Sequence, residues 1–359
     1  MTRATPERGE MTLSPAAPLL EYLMRPLESW LEDPATEDIA VNRPGEAWVY
    51  QHAAWDCHPI ALDYEDLESI AILAGALRQQ DVGPASPLLD EKLPNGERLC
   101  VCLPPAVPHG TISLTLRKHQ DTVIPLSEVN ERYRTEHWAE WRSERSVRNL
   151  DRPMAAYAAG DFETFLRAAV EAHLNILFAG PTGVGKTTLG KSIIDAIDRS
   201  ERVITIEDTE ELGGLPPNHV RLLYARHDAG FGHEALLQTT MRMRPKRIIL
   251  GELRDDAAMT WVKYICTGHL GAVTTIHGSS AGEAFRRLYQ LVKSTPDGVA
   301  IDDKTLLGML ADAIDVIIPL REIDAGPKSR GIGAVWFAGD ARRRGSTIGS
   351  RLSATAWSG

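Results

Sequence analysis

The sequence predicts an α/β protein: a C-terminal P-loop domain built on a mostly parallel sheet, preceded by a smaller α+β domain. Three observations carry this. Gly180-Pro181-Thr182-Gly183-Val184-Gly185-Lys186-Thr187 matches G-x-x-x-x-G-K-[ST] in full. From about residue 160 onward, short apolar runs alternate with helical patterns, as a parallel sheet with helices on its faces requires. Before residue 120, short extended runs surround one clear helix. The boundaries read as 15–125 for the α+β domain, 126–160 for a charged linker and 161–345 for the P-loop domain.

In the N-terminal domain, Ile39 to Asn42, then Arg43-Pro44-Gly45-Glu46, then Ala47 to Tyr50 reads as strand, turn, strand. Leu67, Ile70, Ala71, Ala74 and Leu77 form a helical stripe. Asp63 opens it, with Asp66 at capping-box spacing. Leu99 to Leu103 and Thr111 to Leu116 supply two more strands around the breaker run Pro104 to Gly110. Between Glu128 and Asp151 the chain carries dense charge of both signs, with few large apolar residues such as Tyr133, Trp138 and Trp141. This reads as a solvated connector with some helix.

In the C-terminal domain, Leu174 to Ala179 reads as a buried strand running into the glycine loop. Leu189, Ile193, Ile194 and Ile197 then recur on one face of a following helix. Strand, loop and helix come in the order that phosphate binding needs. Glycines let successive backbone N–H groups curl around phosphate oxygens, Lys186 reaches the outer phosphates, and the Thr187 hydroxyl can ligate Mg²⁺. A chance glycine-rich turn would lack this context on both sides. Further strands are expected at Arg202 to Ile206, Arg247 to Leu250, Ala272 to Ile276 and Asp315 to Leu320.

Three of these strand ends deliver polar groups: Glu207-Asp208-Thr209-Glu210-Glu211, Gly251-Glu252, and His277, the last preceded by Thr267-Gly268-His269-Leu270-Gly271. Ligands in open α/β sheets bind at the carboxyl ends of the strands. Carboxylates there can hold Mg²⁺ and orient water, and a neutral imidazole can sense a γ-phosphate. Taken singly, each acidic turn is an ordinary solvated loop or helix cap. Joint placement on successive strand ends is what points to phosphoryl chemistry.

Gly180 to Thr188, Ile206 to Leu212, Met241 to Arg254 and Thr267 to His277 together resemble the Walker A, Asp box, Walker B and His box of the secretion ATPases. The set is most similar to the VirB11 branch, the traffic ATPases of type IV secretion systems. Leu253 to Ala258, Leu291 to Ser294 and Ala341 to Gly345 add to it. The resemblance covers about residues 20 to 350 and implies a RecA-like C-terminal domain binding ATP and Mg²⁺. It implies a homohexamer of two stacked rings, docked on other secretion components at the cytoplasmic face of the inner membrane. Gly180, Pro181, Thr182, Gly183, Val184, Gly185, Lys186, Thr187 and Thr188 would hold the nucleotide. Thr187, Glu207 and Glu252 would share metal and water positioning, and His277 would report the γ-phosphate. Arg117, closing the run Ser113-Leu114-Thr115-Leu116, is expected to bring an N-terminal-domain guanidinium to the nucleotide; a solvated strand-end cation is the plainer reading. Leu270 stands where the family often has proline, and the linker is longer than in some relatives. Whether each N-terminal domain packs over its own catalytic domain or a neighbour's therefore stays open.

Composition narrows the alternatives. The chain has 359 residues, 43% hydrophobic and 25% charged, enough for two cores and unlike a disordered chain. Its net charge of −10 and pI near 5.6 disfavour a RecA-type helicase, and no direct sequence-specific nucleic-acid binding is expected. The four cysteines, Cys57, Cys100, Cys102 and Cys266, show no C-x-x-C pair and read as reduced cytosolic thiols. Type II secretion motors often carry a tetracysteine insert that this sequence lacks; pilus-retraction motors and a slow nucleotide-gated scaffold remain as alternatives. The first ten residues lack the apolar core of a signal peptide, and the longest apolar run, Ile70 to Leu77, is too short to span a bilayer. Membrane contact is expected to be peripheral.

Overall fold

The structure is a computed structural model that describes residues 16–119, 125–132, 149–224, 231–254, 257–323 and 330–343. It divides after His119 into two compact units. In the N-terminal unit, β1 (Thr36–Val41), β2 (Glu46–Gln51), β3 (Ala54–Pro59), β4 (Leu88–Lys92), β5 (Arg98–Cys102) and β6 (Ser113–Arg117) form a six-stranded sheet in the order β3-β2-β1-β6-β5-β4. All its pairings are antiparallel. The expected turn between β1 and β2 contains Gly45 at φ 84°, a left-handed conformation that glycine adopts without a Cβ clash.

The helix Tyr64–Ala76 opens with the full capping box: Asp66 N–H donates to Asp63 Oδ1 at 2.9 Å, and Asp63 N–H donates to Asp66 Oδ2 at 3.1 Å. Leu67, Ile70, Ala71 and Ala74 are buried, and they share one core with Leu20, Met24 and Leu27 from the first helical segment. Burying each leucine or isoleucine contributes about 1.5–3 kcal/mol. β3 and β4 are not marked by the sequence. β3 is a largely exposed edge strand, Ala-Trp-Asp-Cys-His-Pro, with no apolar alternation to announce it. Cys100 and Cys102 are buried in β5, Cys57 and Cys266 are exposed, and all are free thiols.

The C-terminal unit is built on β7 (Ile176–Ala179), β8 (Val203–Glu207), β9 (His219–Leu223), β10 (Arg247–Leu250), β11 (Val273–Ile276), β12 (Val316–Glu322), β13 (Arg330–Ile332) and β14 (Trp336–Phe337). The order is β13-β12-β7-β11-β10-β8-β9, with β14 also on β12. β12, β7, β11, β10, β8 and β9 are parallel neighbours, whereas β13 and β14 pair antiparallel with β12. This is the expected α/β fold, mostly parallel, and it follows in sequence a unit whose sheet is antiparallel. Ile193 and Ile194 of the helix Lys186–Asp195 are buried against Phe178 and Ile176 of the sheet, while Leu189 is only partly covered.

Within the span 126–160 read as linker, residues 133–148, including Tyr133, Trp138 and Trp141, lie outside the described residues. Its end is the helix Asp151–Ala159, whose Ala156 is part of the C-terminal core. Tyr157 packs at a tilt against both Phe165 and Phe337 and donates its hydroxyl to Val335 O at 2.9 Å. The reason is local: the charged run hides an apolar face formed by Pro153, Ala156 and Tyr157. Of the late basic segment, Arg344 and Gly345 also fall outside the described residues.

At the amino ends of the parallel strands, Arg247 is fully buried. Its Nε and Nη2 donate to Glu201 Oε2 and Oε1, both at 3.0 Å, and its remaining donors reach Gly271 O and Val170 O at 3.2 Å. Gly271 has φ 81°, and a Cβ there would lie 2.6 Å from the guanidinium. Burial by itself raises the Glu201 carboxyl. The His173 ring, 3.2 Å away, and the Arg247 guanidinium outweigh it and hold the group down to about 2.

A depressed folded value means that the stability Glu201 contributes is present above its ordinary 4.5 and is lost as pH falls toward about 2. Glu201→Gln strands a buried guanidinium and is expected to destabilise the C-terminal unit by about 3–5 kcal/mol at neutral pH. Thermal unfolding of both proteins from pH 7 down to 3 should show the gap narrowing below pH 4.5, as the unfolded wild-type chain takes up a proton that the folded carboxylate still refuses.

Candidate functional site

The glycine loop follows β7 directly. Gly183 and Gly185 have φ of 83° and 100°, and Gly185 is the residue before the helix Lys186–Asp195. These conformations turn backbone N–H groups toward one point at a helix N-terminus, where an anion is favoured. Gly180 answers a different demand: a Cβ there would meet Val184 Cγ1 at 2.7 Å and Leu320 O at 3.0 Å, so the loop can leave the sheet only as glycine. Lys186 Nζ donates to Gly180 O at 2.7 Å and Pro181 O at 2.9 Å. A triphosphate would replace those carbonyls with phosphate oxygens. Partial burial lowers the Lys186 ammonium from its ordinary value, and the charge of Glu252 partly offsets this.

A cavity of about 420 Å³ opens above the loop at the carboxyl ends of β7, β8, β10 and β11. Thr182, Gly183, Gly185, Lys186, Thr187 and Thr188 line it, as do Glu207, Asp208, Glu211, Glu252 and His277. Gly180 and Val184 are buried beneath the loop, and Pro181 is exposed on it. Sequence-distant groups thus meet at one place because β8, β10 and β11 are parallel neighbours. Arg117 ends β6 in the N-terminal unit, exposed, opposite Asp38 and Arg98.

The two glutamates differ in their surroundings. Glu252 sits just past β10 with both oxygens engaged: Oε1 lies 2.8 Å from His277 Nε2, and Oε2 accepts from Arg254 Nε at 2.8 Å and from its Nη2. Glu207 is buried, and its carboxylate accepts from the Thr205 hydroxyl at 2.6 Å and from Glu211 N–H and Leu212 N–H at 2.9 and 2.8 Å. It closes the acidic turn from within. Among the described residues no group of three or more His, Cys, Asp or Glu is arranged to hold a metal by itself. Mg²⁺ in such a site shares its coordination with phosphate oxygens.

The two histidines of the His box part company. His277 follows β11 into the cavity. His269 precedes β11, stacks on Tyr264 at 4.2 Å with 6° between the planes, and faces a second recess with His173 and Lys246 at the amino ends of the strands. Burial lowers its pKa. Sequence reasoning gives no role to three further residues. Arg254 falls inside a quoted motif. Asn175 accepts from Gly271 N–H and Ala272 N–H at 3.0 and 3.1 Å and donates to Ala313 O at 2.8 Å, tying β7 to the starts of β11 and β12. Arg330 lines the cavity from β13 and has no motif around it.

Strand, glycine loop and helix in this geometry, on a mostly parallel sheet, define a RecA-like P-loop protein. A family model described as Type II/IV secretion system protein matches residues 142–335. Protein VirB11 of Rhizobium radiobacter is 50% identical over 341 residues, 94% of this chain and 98% of that protein. Type IV secretion system protein VirB11 of Brucella suis biovar 1 is 34% identical over 333 residues, 90% of this chain and 91% of that protein. The crystal structure described as the VirB11 ATPase from the Brucella suis type IV secretion system in complex with sulphate superposes with TM-score 0.84 at 34% identity, covering 92% of this chain and 97% of that one. The chain belongs to the VirB11 family.

Glu252→Gln keeps the shape of the side chain but cannot take a proton from water. It is expected to bind ATP and to hydrolyse it about 10²–10⁴-fold more slowly. Glu207→Gln should behave differently: losing a carboxylate that holds two backbone N–H groups should lower the thermal midpoint as well as turnover. Steady-state rates with thermal melts for both variants check this division, and normal turnover by Glu252→Gln would reverse the roles.

Proposed function

We propose that the protein is a Mg²⁺-dependent ATPase, a traffic ATPase that powers substrate translocation, pilus assembly or both in a type IV secretion system. It works as a homohexamer in the cytoplasm, peripheral to the inner membrane, alongside other components of the secretion machine. The observation that carries the reading is the convergence of Lys186, Glu252 and His277 on the cavity over the P-loop. The relatives, VirB11 proteins that include one of the Brucella suis type IV secretion system, supply the biological setting. No helix among the described residues is long and apolar enough to cross a membrane, which suits a peripheral protein. The domains in this reading are 15–125 and 161–345, joined by 126–160, whose closing helix Asp151–Ala159 packs into the C-terminal core.

The chemistry follows from the residues. Backbone N–H groups from Thr182 to Thr188 and the Lys186 ammonium neutralise phosphate charge, which phosphoryl transfer depends on, while Gly180 and Pro181 shape the start of the loop. The Thr187 hydroxyl and Glu252, directly or through water, fit Mg²⁺, which supplies charge neutralisation at the β and γ phosphates when bound. Glu207 shares metal and water positioning with Glu252, from the acidic turn that its three hydrogen bonds fix. Glu252 orients and deprotonates the attacking water, and His277, beside it, reads the γ-phosphate. Arg117 contributes a further nucleotide contact.

Lys186→Ala should fold normally and lose ATP hydrolysis, because the flexible cation of the loop is gone; wild-type turnover by a well-folded variant would sink the ATPase reading. Sedimentation with Mg²⁺ and a non-hydrolysable ATP analogue should give six copies per particle, since nucleotide that binds the assembled state drives assembly. A monomer at micromolar protein and saturating analogue would overturn the hexamer. Calorimetry on Arg117→Lys, which keeps charge but loses the planar fork, should show weakened nucleotide binding; affinity equal to wild type would leave Arg117 a surface cation.

A further inference from the structure

Lys186 is not the sole cation over the glycine loop. Arg330 lines the same cavity, reaching it from β13, whose register against β12 is set by the pairs Glu322 with Arg330, Arg321 with Gly331 and Leu320 with Ile332. β12 is in turn the parallel neighbour of β7, which runs straight into the loop. Sheet topology therefore brings a residue from far along the chain onto the phosphate side of the fold. The contact is close. A Cβ built on Gly185 would lie 3.2 Å from Arg330 Nη1, 3.4 Å from its Cδ and 3.7 Å from its Cζ, so the guanidinium occupies the room that this glycine leaves.

Two features separate this arginine from an ordinary surface cation. Among the described residues no carboxylate pairs with it, whereas Arg254 in the same cavity is bound to Glu252. It also lies against Gly185, the residue just before the helix, where backbone N–H groups cradle the inner phosphates while the lysine reaches the outer ones. Holding a guanidinium beside a helix N-terminus sets like partial charges together, and an anion between them relieves the repulsion.

We propose that Arg330 is a nucleotide-binding residue that grips the inner phosphates, those common to ATP and ADP, from the face of the loop opposite the hydrolytic groups. This rests on the reading of the cavity as a nucleotide site. An arginine fork donates two parallel hydrogen bonds to a phosphate, so geometry as well as charge contributes. Because the grip is the same for both nucleotides, it holds ADP as firmly as ATP and sets affinity rather than the rate of the chemical step.

The test measures binding of a non-hydrolysable ATP analogue, ADP and inorganic tripolyphosphate, each with Mg²⁺, to wild type, Arg330→Ala, Arg330→Lys and Lys186→Ala. Arg330→Ala should lose about tenfold or more for all three ligands by a similar factor. Arg330→Lys should fall between, and the KM for ATP should rise with little change in kcat. Tripolyphosphate has no base, so sparing of that ligand alone would replace the inference with a contact to adenine. A loss confined to the ATP analogue would make Arg330 a γ-phosphate sensor and overturn it, as would unchanged affinity for all ligands in both arginine variants. Failure of the wild type to bind any of them would refute the nucleotide site itself, and weakened binding by Lys186→Ala marks that site as the one observed.

Discussion

A guanidinium with no access to water must have its donors satisfied, and Arg247 meets that demand at the amino ends of the parallel strands. One side chain fastens Glu201 before β8, the carbonyl of Gly271 before β11 and the carbonyl of Val170 at the end of a helix. Breaking any of these leaves a buried polar group unpaired, at about 1–3 kcal/mol for neutral groups and more for charged ones. The arrangement thereby fixes where β8, β10 and β11 begin relative to one another. Since they are short and parallel, it also fixes where they end. Glu207, Glu252 and His277 stand at those ends. The geometry of the cavity is set in large part at the edge of the sheet away from it.

The same economy explains the glycines that matter. Gly271 is close enough to Arg247 that a methyl group would collide with the guanidinium, and Gly180 is close enough to Leu320 O that the loop and β12 could not both keep their places around a larger residue. These are packing constraints between strands, distinct from the left-handed turns that Gly183 and Gly185 supply to the loop itself. Asn175 completes the brace by bonding to the starts of two neighbouring strands with one amide.

Much of this is legible in the sequence, for reasons that differ by element. The P-loop unit is readable because its glycines, lysine and flanking apolar runs each answer a local physical demand. The capped helix Tyr64–Ala76 is readable because the cap and the stripe are both local. β3 and β13 are not, because an exposed edge strand needs no apolar alternation and draws its order from its neighbour. The helix Asp151–Ala159 hides in a charged run because only one of its faces is apolar. Glu207 and Glu252 look alike as letters; they differ because one turns inward to backbone N–H groups and the other faces Arg254 and His277. Arg330 is invisible to motif reading, since what brings it to Gly185 is strand order.

β11 carries a mechanical consequence. It has His269 before it and His277 after it, and it is hydrogen-bonded along both flanks, to β10 and to β7. A strand zipped on both sides cannot slide by a step without breaking two ladders and turning every side chain to the opposite face. Whatever passes between its two ends must therefore travel as rotation of side chains or tilting of the sheet as one plate. Any larger rearrangement of this unit falls to the helices and loops on the sheet's faces, with the sheet as their anvil.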